Sequence, residues 1–549
     1  MTSSLETALR YWETVRWLKP VQLFGRVWFR LARPKVDQSP APSRRGQSAA
    51  WIAPARRRPS LVGARRLRFL NVEAELDQIG WDGPGQEKLW RYNQHYFEDL
   101  TAFDAAARSD WHHALIADWV EHNPPGAGTG WDPYPLSLRI VNWIEWTLAG
   151  ETLTDRQIDS LATQIRYLSK RLERHLLGNH LFVNAKALIF AGLFFESPEA
   201  VNWRRVGFGI LKTEFGEQIL PDGGQFELSP MYHALALEDV LDLINVSRTF
   251  QSALSATERT QVARWQEAIR GMRAWLAAMS HPDGDISFFN DAAFGIAPHR
   301  DELEAYAQRL GLENKGPLAP LTWLQQSGYA RLQTQNAVLL CDIGKIGPDY
   351  LPGHAHADTL SFELSLFGQR LFVNSGTSVY GISEERLRQR GTPAHNTVTV
   401  AGRNSSEVWS GFRVGARARP IDANVFQDGE RLVAEGAHDG YRALALRPVH
   451  RRTWALGPNG LEVSDEVRPG AHPAEARFHL HPDVRAEEIG PSEGDLVLAN
   501  GKRARWRASS GPVRIEASTW HPEFGISTPN ACLILPLENG ASRFELTWS

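Results

Sequence analysis

"GPLAPLTWLQQSGYARLQTQNAVLLCDIG", residues 316–344, is where the chain changes its period. Ahead of it, "HHALIADWVEHN", "LSLRIVNWIEWTLA", "TDRQIDSLATQIRYLSKRLERHL", "NAKALIFAGLFF", "ALALEDVLDLINVSRTF" and "ERTQVARWQEAIRGMRAWLAAM" space their apolar residues as one face of a helix does. From Tyr329 on, "YARLQTQNAVLLCDIG", "LSFELSLFGQRLFVNSG", "HNTVTVAG", "RLVAEGAHDG", "HRRTWALGPNGLEVSDEV" and "FELTWS" are short alternating runs between turn residues. Helices first and strands second, unmixed, predict an all-α domain followed by an antiparallel β domain. A run of helix pairs is compatible with an (α/α) toroid, and a groove between such a toroid and a β-sandwich is a natural ligand site. The expected division is an N-terminal helix and linker over 1–60, the toroid over 61–320 and the sandwich over 321–549. Thr154, and Ser255 or Thr257, are candidate helix caps.

At 549 residues the chain exceeds one ordinary core, and 42% apolar with 22% charged residues is the composition of a globular protein. Sixty Lys and Arg stand against 63 Asp and Glu, which gives no general case for nucleic acid. Twenty Trp suit either stacking on sugar rings or packing of large helices. Cys341 and Cys532 lie in apolar runs and read as buried small hydrophobes. No signal-peptide pattern opens the chain and no apolar run is long enough to span a bilayer, so the expectation from sequence is the cytoplasm. "ETVRWLKPVQLFGRVWFRLARP" (13–34), basic and aromatic, reads as a helix docked on the main domain or as one lying on an anionic membrane. Residues 34–60, rich in Pro, Ser and Arg, read as a linker or a loosely draped segment.

Polar clusters fall on both sides of the junction. "LLGNHLFVNAKAL" sets Asn179 and His180 at a glycine break before an apolar helix, as a cap with a packed ring or as site residues. "PDGGQFELSPMYHALALEDV" carries Asp222, Gln225 and Glu227 in a Gly-rich loop, and then Ser229-Pro230 opens a helix bearing Tyr232 and His233. In "GHAHADTLSFEL" (353–364) an extended strand would point His354, His356 and Asp358 the same way, with Leu360, Phe362 and Leu364 continuing the row as core. "LFVNSGTSVYG" adds Asn374 and Tyr380, and "RQRGTPAHNTVTVAG" adds Arg390, His395 and Asn396.

Taken in order, "GNHLFVNAKAL", "DGGQFELSPMYH", "GHAHADTLSFEL", "VNSGTSVYG" and "AHNTV" resemble the heparinase II/III-like polysaccharide lyases, which include heparin-sulfate and alginate lyases. The resemblance covers roughly residues 85–485, and "LWRYNQHYFEDL" with "WDPYPLSLRIVNWIEW" resembles the branch tied to bacterial exopolysaccharide gene clusters. It implies an N-terminal (α/α) toroid, a C-terminal antiparallel β-sandwich, and cleavage beside a uronic acid by β-elimination. It implies Asn179 as the neutraliser of the sugar carboxylate, His180 as base or co-neutraliser, and Tyr232 as base or acid. It implies His354 as a partner histidine and Tyr380 as a substrate contact. Arg390 is a candidate to favour a Tyr232 phenolate or to bind the carboxylate, and Arg139, Asn142, Trp143, Gln225 and Glu227 are candidates to line the groove.

The resemblance implies no cofactor for catalysis. It does imply a structural zinc held by the second histidine of H-x-H, an aspartate and a later histidine. His356 and His395 match the outer positions, but Asn374 stands where the aspartate is expected, and a neutral amide is a poor zinc ligand. Asp358 would then compensate, or hydrogen bonds alone would hold the site. The expected partner is an acidic polysaccharide. Relatives are often periplasmic. Two rival readings are a glycoside hydrolase using Asp222 with Glu227 or Glu238, and a glycan-binding protein of polysaccharide biosynthesis without turnover.

Overall fold

The computed structural model describes residues 4–313 and 316–549, with side chains from residue 7 onward; residues 1–3 of the N-terminal segment and 314–315 of the junction lie outside the described residues. The helical half runs through Ser109–His122, Pro133–Leu148, Asp155–Ser169, Gly178–Phe194, Pro198–Gln218, Pro230–Thr249, Ala256–Ala278 and Arg300–Arg309. Local chemistry starts several of these helices. Thr154 caps the first backbone N–H groups of its helix with Gln157 reaching back, and Ser255 does the same with Glu258. Thr257 lies inside the helix that Ser255 caps.

The strands follow, and every pair in the β half is antiparallel. Tyr329–Gln333 and Ala337–Asp342 form a hairpin in a five-stranded sheet, beside an eight-stranded and a four-stranded sheet. Strands of the eight-stranded sheet alternate buried with partly exposed positions, as in Val449–Gly457. In the five-stranded sheet, Ala337–Asp342 and Phe362–Leu366 are buried at every position. One row, including Leu339, Cys341, Phe362 and Leu364, joins Trp454, Phe478 and Phe544 in the core of the β half. The other row, Val338 and Leu340, packs with Trp275 and Met279 of the helical half. This sheet is therefore the layer through which the two halves are joined, and the side chains near its ends are held from both directions.

Some sequence expectations change. Residues 353–361 are loop, and the strand begins only at Phe362; Leu360 has a positive φ of 62°, which breaks the extended alternation. A small three-stranded sheet spans Leu61–Glu75 ahead of the helices. Residues 34–60 are draped on the helical half: Ser43–Arg44 pairs with Phe195–Glu196, and Ser48 donates to the Thr249 carbonyl. Cys341 and Cys532 are buried and unpaired. Among the described residues no helix is long and apolar enough to cross a membrane.

Candidate active site

Leu177 (φ 61°) and Gly178 (φ 57°) are both left-handed, so the chain reverses sharply before the helix Gly178–Phe194. A Cβ at Gly178 would come within 2.4 Å of Leu351 Cδ2, the tip of a side chain that can shift, so it is the positive φ of 57° that favours glycine here. Asn179 and His180 thus occupy the first helical turn. Across from them, Ser229 Oγ caps the helix Pro230–Thr249 by accepting from Tyr232 N at 3.2 Å, and it donates to the Asp291 carbonyl at 2.5 Å. The cap therefore ties the Tyr232 turn to the loop at Asp291.

Asn179 and Tyr232 line one cleft of about 300 Å³ together with Tyr134, Gln225 and Asp239. The Tyr232 ring lies over His354 with centroids 4.0 Å apart, and its hydroxyl is 3.1 Å from that of Tyr380. His354 Nδ1 is 2.8 Å from Asp291 Oδ2, which fixes the ring and leaves Nε2 turned toward Glu227, 3.8 Å away. His180 packs against Tyr134 with ring centroids 4.6 Å apart and tilted, and its Nδ1 is 3.2 Å from Glu173.

Asp291 is the hub. It is fully buried and receives His354, His356 Nε2 at 2.9 Å, both terminal nitrogens of Arg386, and Thr377 Oγ1 at 3.2 Å. Burial alone would raise its pKa. The Arg386 guanidinium and the histidine hydrogen bonds outweigh that and hold the carboxyl well below its ordinary range. Tyr232 moves the other way: burial, then Tyr380 and Asp291, push its phenol well above the ordinary value. For His180, burial works to lower the pKa, but Glu173 and then Glu227 prevail and raise it. Burial also raises the Glu227 carboxyl.

A second hollow, about 370 Å³, lies beneath the 61–75 sheet. Its buried carboxylate, Asp99, is already bonded by Arg108, His112 and the backbone N–H groups of Ser60 and Leu61, so it supplies packing rather than chemistry.

Residues 85–308 match the family described as heparinase II/III N-terminus, and residues 316–549 match heparinase II/III-like, C-terminal. The chain belongs to the heparinase II/III-like family of polysaccharide lyases. It is 29% identical to a heparin-sulfate lyase of Bacteroides stercoris over 78% of this chain and 68% of the relative. It is 26% identical to the heparin-sulfate lyase of Pedobacter heparinus, over 61% of this chain and 55% of that protein. It is also 24% identical to FtsZ-localized protein C of Caulobacter vibrioides, over 90% of this chain and 88% of that one. A crystal structure of heparinase III superposes with a TM-score of 0.65 at 19% identity, covering 83% of this chain and 76% of that one. A mutant heparan sulfate lyase HepC of Pedobacter heparinus gives 0.60 at 17% identity, covering 96% and 88%.

Within this heparinase II/III-like chain several sequence candidates prove structural. Arg139 is fully buried, stacks on Trp119, and spends its donors on Gln164 and the carbonyls of His95 and Gly130. Trp143 is fully buried against Phe97 and Trp119, and Asn142 donates to the Tyr96 carbonyl. Arg390 does not reach the cleft either: it donates to the carbonyls of Ala355, Ser410, Gly411 and Arg413, so it pins the loop that carries His354. Each of these cations lies where sequence periodicity cannot tell a core from a groove.

The candidate hydrolase carboxylates are each engaged: Asp222 is bonded to Ser327, Glu238 pairs with Arg57, and Glu227 sits by Gln225 and His354.

The zinc set does not fit. His356 Nε2 is on Asp291 and its Nδ1 faces His395 Nε2 at 3.3 Å. The Asn374 amide oxygen accepts from Asn396 N at 3.1 Å. Asp358 accepts from Asn290 N, and no three His, Cys, Asp or Glu side chains are grouped to share an ion among the described residues. Asp291 and Arg386 escaped the sequence reading. A lone carboxylate in the apolar run "SFFNDAAFG" was the available signal, because a buried charge demands a partner. Arg386, inside "SEERLRQR", looks like one more surface charge.

Proposed function

We propose that the chain cleaves a uronate-containing anionic polysaccharide by β-elimination, leaving a 4,5-unsaturated uronic acid at the new non-reducing end. We read the helical half as an (α/α) toroid and the strands as a β-sandwich, with the polymer lying at their junction. The supporting observation is the His354–Asp291 contact, set against the protonated Tyr232 phenol in a cleft shared with Asn179.

The C5 proton of a uronate is barely acidic while its carboxylate is charged. The Asn179 amide, beside a His180 ring whose cationic form Glu173 favours, neutralises that carboxylate. His354 donates Nδ1–H to Asp291 and presents the Nε2 lone pair, which takes the C5 proton. The C5–H electron pair becomes the C4–C5 double bond, the C4–O4 bond breaks, and Tyr232 gives its proton to O4. A phenol held neutral suits the acid's role better than the base's. His354 then returns its proton to the phenolate, directly or through water, across rings whose centroids are 4.0 Å apart.

Incubation of the pure protein with a panel of acidic polysaccharides tests this. The expected result is an ultraviolet-absorbing unsaturated product from at least one of them. New reducing ends without that chromophore would indicate hydrolysis and reject the proposal. Binding without any cleavage would favour the glycan-binding alternative.

A further inference from the structure

The helix Pro20–Leu31 docks through a narrow, mostly polar or small side. Gln22 donates to the Tyr350 carbonyl at 3.0 Å, Gly25 meets His175, and Phe29 lies between His175 and Arg171. Its opposite side is apolar and faces outward: Phe24 is 76% exposed, Val27 59%, Trp28 73% and Leu31 77%. These positions recur at helical spacing, so they form one stripe that packing leaves uncovered. On the preceding helix, Ser4–Val15, Trp12 is 62% exposed while Arg10 pairs with Glu407 and Tyr11 packs on Trp409.

The segment that carries the stripe is rich in cations. Residues 16–35 contain Arg16, Lys19, Arg26, Arg30, Arg33 and Lys35 and no acid, although the whole chain carries a net charge of -3. Arg16 pairs with Glu13 and Lys19 with Glu217, but Arg26, Arg30, Arg33 and Lys35 have no ion pair among the described residues.

We propose that the helix Pro20–Leu31 lies in the plane of an anionic lipid bilayer, with Phe24, Val27, Trp28 and Leu31 in the acyl boundary and the four cations among the headgroups. Its 12 residues are too few to span a bilayer but suit an interfacial position, and Trp and Phe favour that depth. Charge complementarity selects this occupant over a second copy of the chain. A two-fold contact through the stripe would bring four unpaired cations against four more. The Gln22–Tyr350 contact places the anchor four positions before His354 in sequence, on the segment that reaches the cleft.

The test is flotation of the full chain with vesicles of phosphatidylcholine alone and with an equal mixture of phosphatidylcholine and phosphatidylglycerol. The anionic vesicles should carry about tenfold more protein or better. Phe24→Asp with Trp28→Asp, and separately Arg26→Glu with Arg30→Glu, should each abolish flotation while the melting curve stays that of the parent. Equal flotation with both vesicles, or with neither, overturns the proposal. So does a dimer in sedimentation velocity that the Phe24→Asp, Trp28→Asp chain no longer forms.

Discussion

The molecule builds nearly the same buried network twice. Around Asp291, Arg386 supplies a guanidinium fork, His356 Nε2 bonds the carboxylate at 2.9 Å, and His356 Nδ1 faces His395 at 3.3 Å. Around Asp465, Arg452 supplies the fork, His450 Nε2 bonds at 2.7 Å, and His450 Nδ1 faces His438 at 3.2 Å. The Asp465 set is sealed inside the β half, with no side chain more than 1% exposed among Asp465, His450 and Arg452. The Asp291 set has two further members: Thr377, whose hydroxyl donates to the carboxylate at 3.2 Å, and His354, 15% exposed, which shares the carboxylate and packs against Tyr232. An aspartate held by arginine and imidazole is thus a structural unit in this protein, and the copy with the additional ring beside Tyr232 is the one we propose as catalytic machinery.

The sharpest way to break that comparison is to remove one imidazole from each copy. His354→Ala should lower kcat by about 10²–10⁴-fold, the range for loss of a general base, with a smaller loss in melting than a fully buried ring would give because this ring is 15% exposed. Tyr232→Phe should do the same with the fold intact, since among the described residues its hydroxyl bonds only Tyr380. His450→Ala should leave kcat of the folded protein unchanged and cost about 2–4 kcal/mol of stability through a buried cavity and a lost hydrogen bond. Steady-state rates beside denaturant melts read both. If His450→Ala slows turnover as much as His354→Ala does, the distinction fails.

Asp291→Asn and Asp465→Asn should resemble each other in stability. Each strands a buried guanidinium, a loss of about 3–5 kcal/mol. Only Asp291→Asn should also lose turnover among the molecules that remain folded, because His354 then loses its orienting acceptor. A melt shift below about 1 kcal/mol for either would mean that the pairing is worth no more than a surface ion pair.

Acid should act on both networks alike. Burial lowers His356 to about 4 and His395 to about 3, and it lowers His438 and His450 as well. The unfolded chain takes up these protons near pH 6.5 and the folded chain does not, so stability falls as pH drops below about 6.5, and for His356 and His395 it does so down to about 4 at about 1.4 kcal/mol per pH unit each. The carboxylates have the opposite chemistry and the same sign. Asp465, held at about 2 against its burial by Arg452, and Asp291, also lowered, stabilise the fold fully above the unfolded carboxyl pKa and lose that contribution as pH falls through their folded values. Denaturant melts across this range should therefore show a decline that begins well above carboxylate pKa values, and His395→Gln should flatten it.

What the sequence made legible follows from range. Thr154, Ser255 and Ser229-Pro230 start their helices through contacts three residues away, and the 329–342 hairpin follows from a local change of period. His354 and His356 do reach a common acceptor, but through an interlocked loop rather than the alternation of a strand, with His356 N on Asn290 Oδ1 and Asp291 N on the His354 carbonyl. Asp291 itself was hidden because its partners lie 63 and 95 positions downstream, and no local pattern records a charge pair at that distance. Arg139 and Arg390 misled for the complementary reason: a cation on an amphipathic helix or in a polar loop reads the same whether it faces a groove or closes on carbonyls. The Pro20–Leu31 helix was read as docked or as membrane-bound; its contacts with Tyr350, His175 and Arg171 show the docking, and its outer side is apolar and exposed.

The smallest expected effect concerns metal, and the paired networks supply the reason. An imidazole–imidazole distance of 3.3 Å at His356–His395 resembles two ligands sharing an ion, but His438–His450 holds 3.2 Å while His450 is also bonded to Asp465, and that pair too belongs to no group of metal-ligating side chains among the described residues. The contact is therefore what two buried neutral rings make when one donates to the other, and Asn374, whose oxygen already accepts from Asn396, adds no charge to attract a cation. Chelator should leave both the melting temperature and the rate of product formation unchanged. Asn374→Asp would supply the carboxylate that the resemblance implies at this position, so that variant should gain a zinc-dependent rise in melting temperature that the parent lacks. Zinc bound one to one by the parent, with a chelator-induced fall in its melting temperature, would show that the first network differs from the second by an ion as well as by His354.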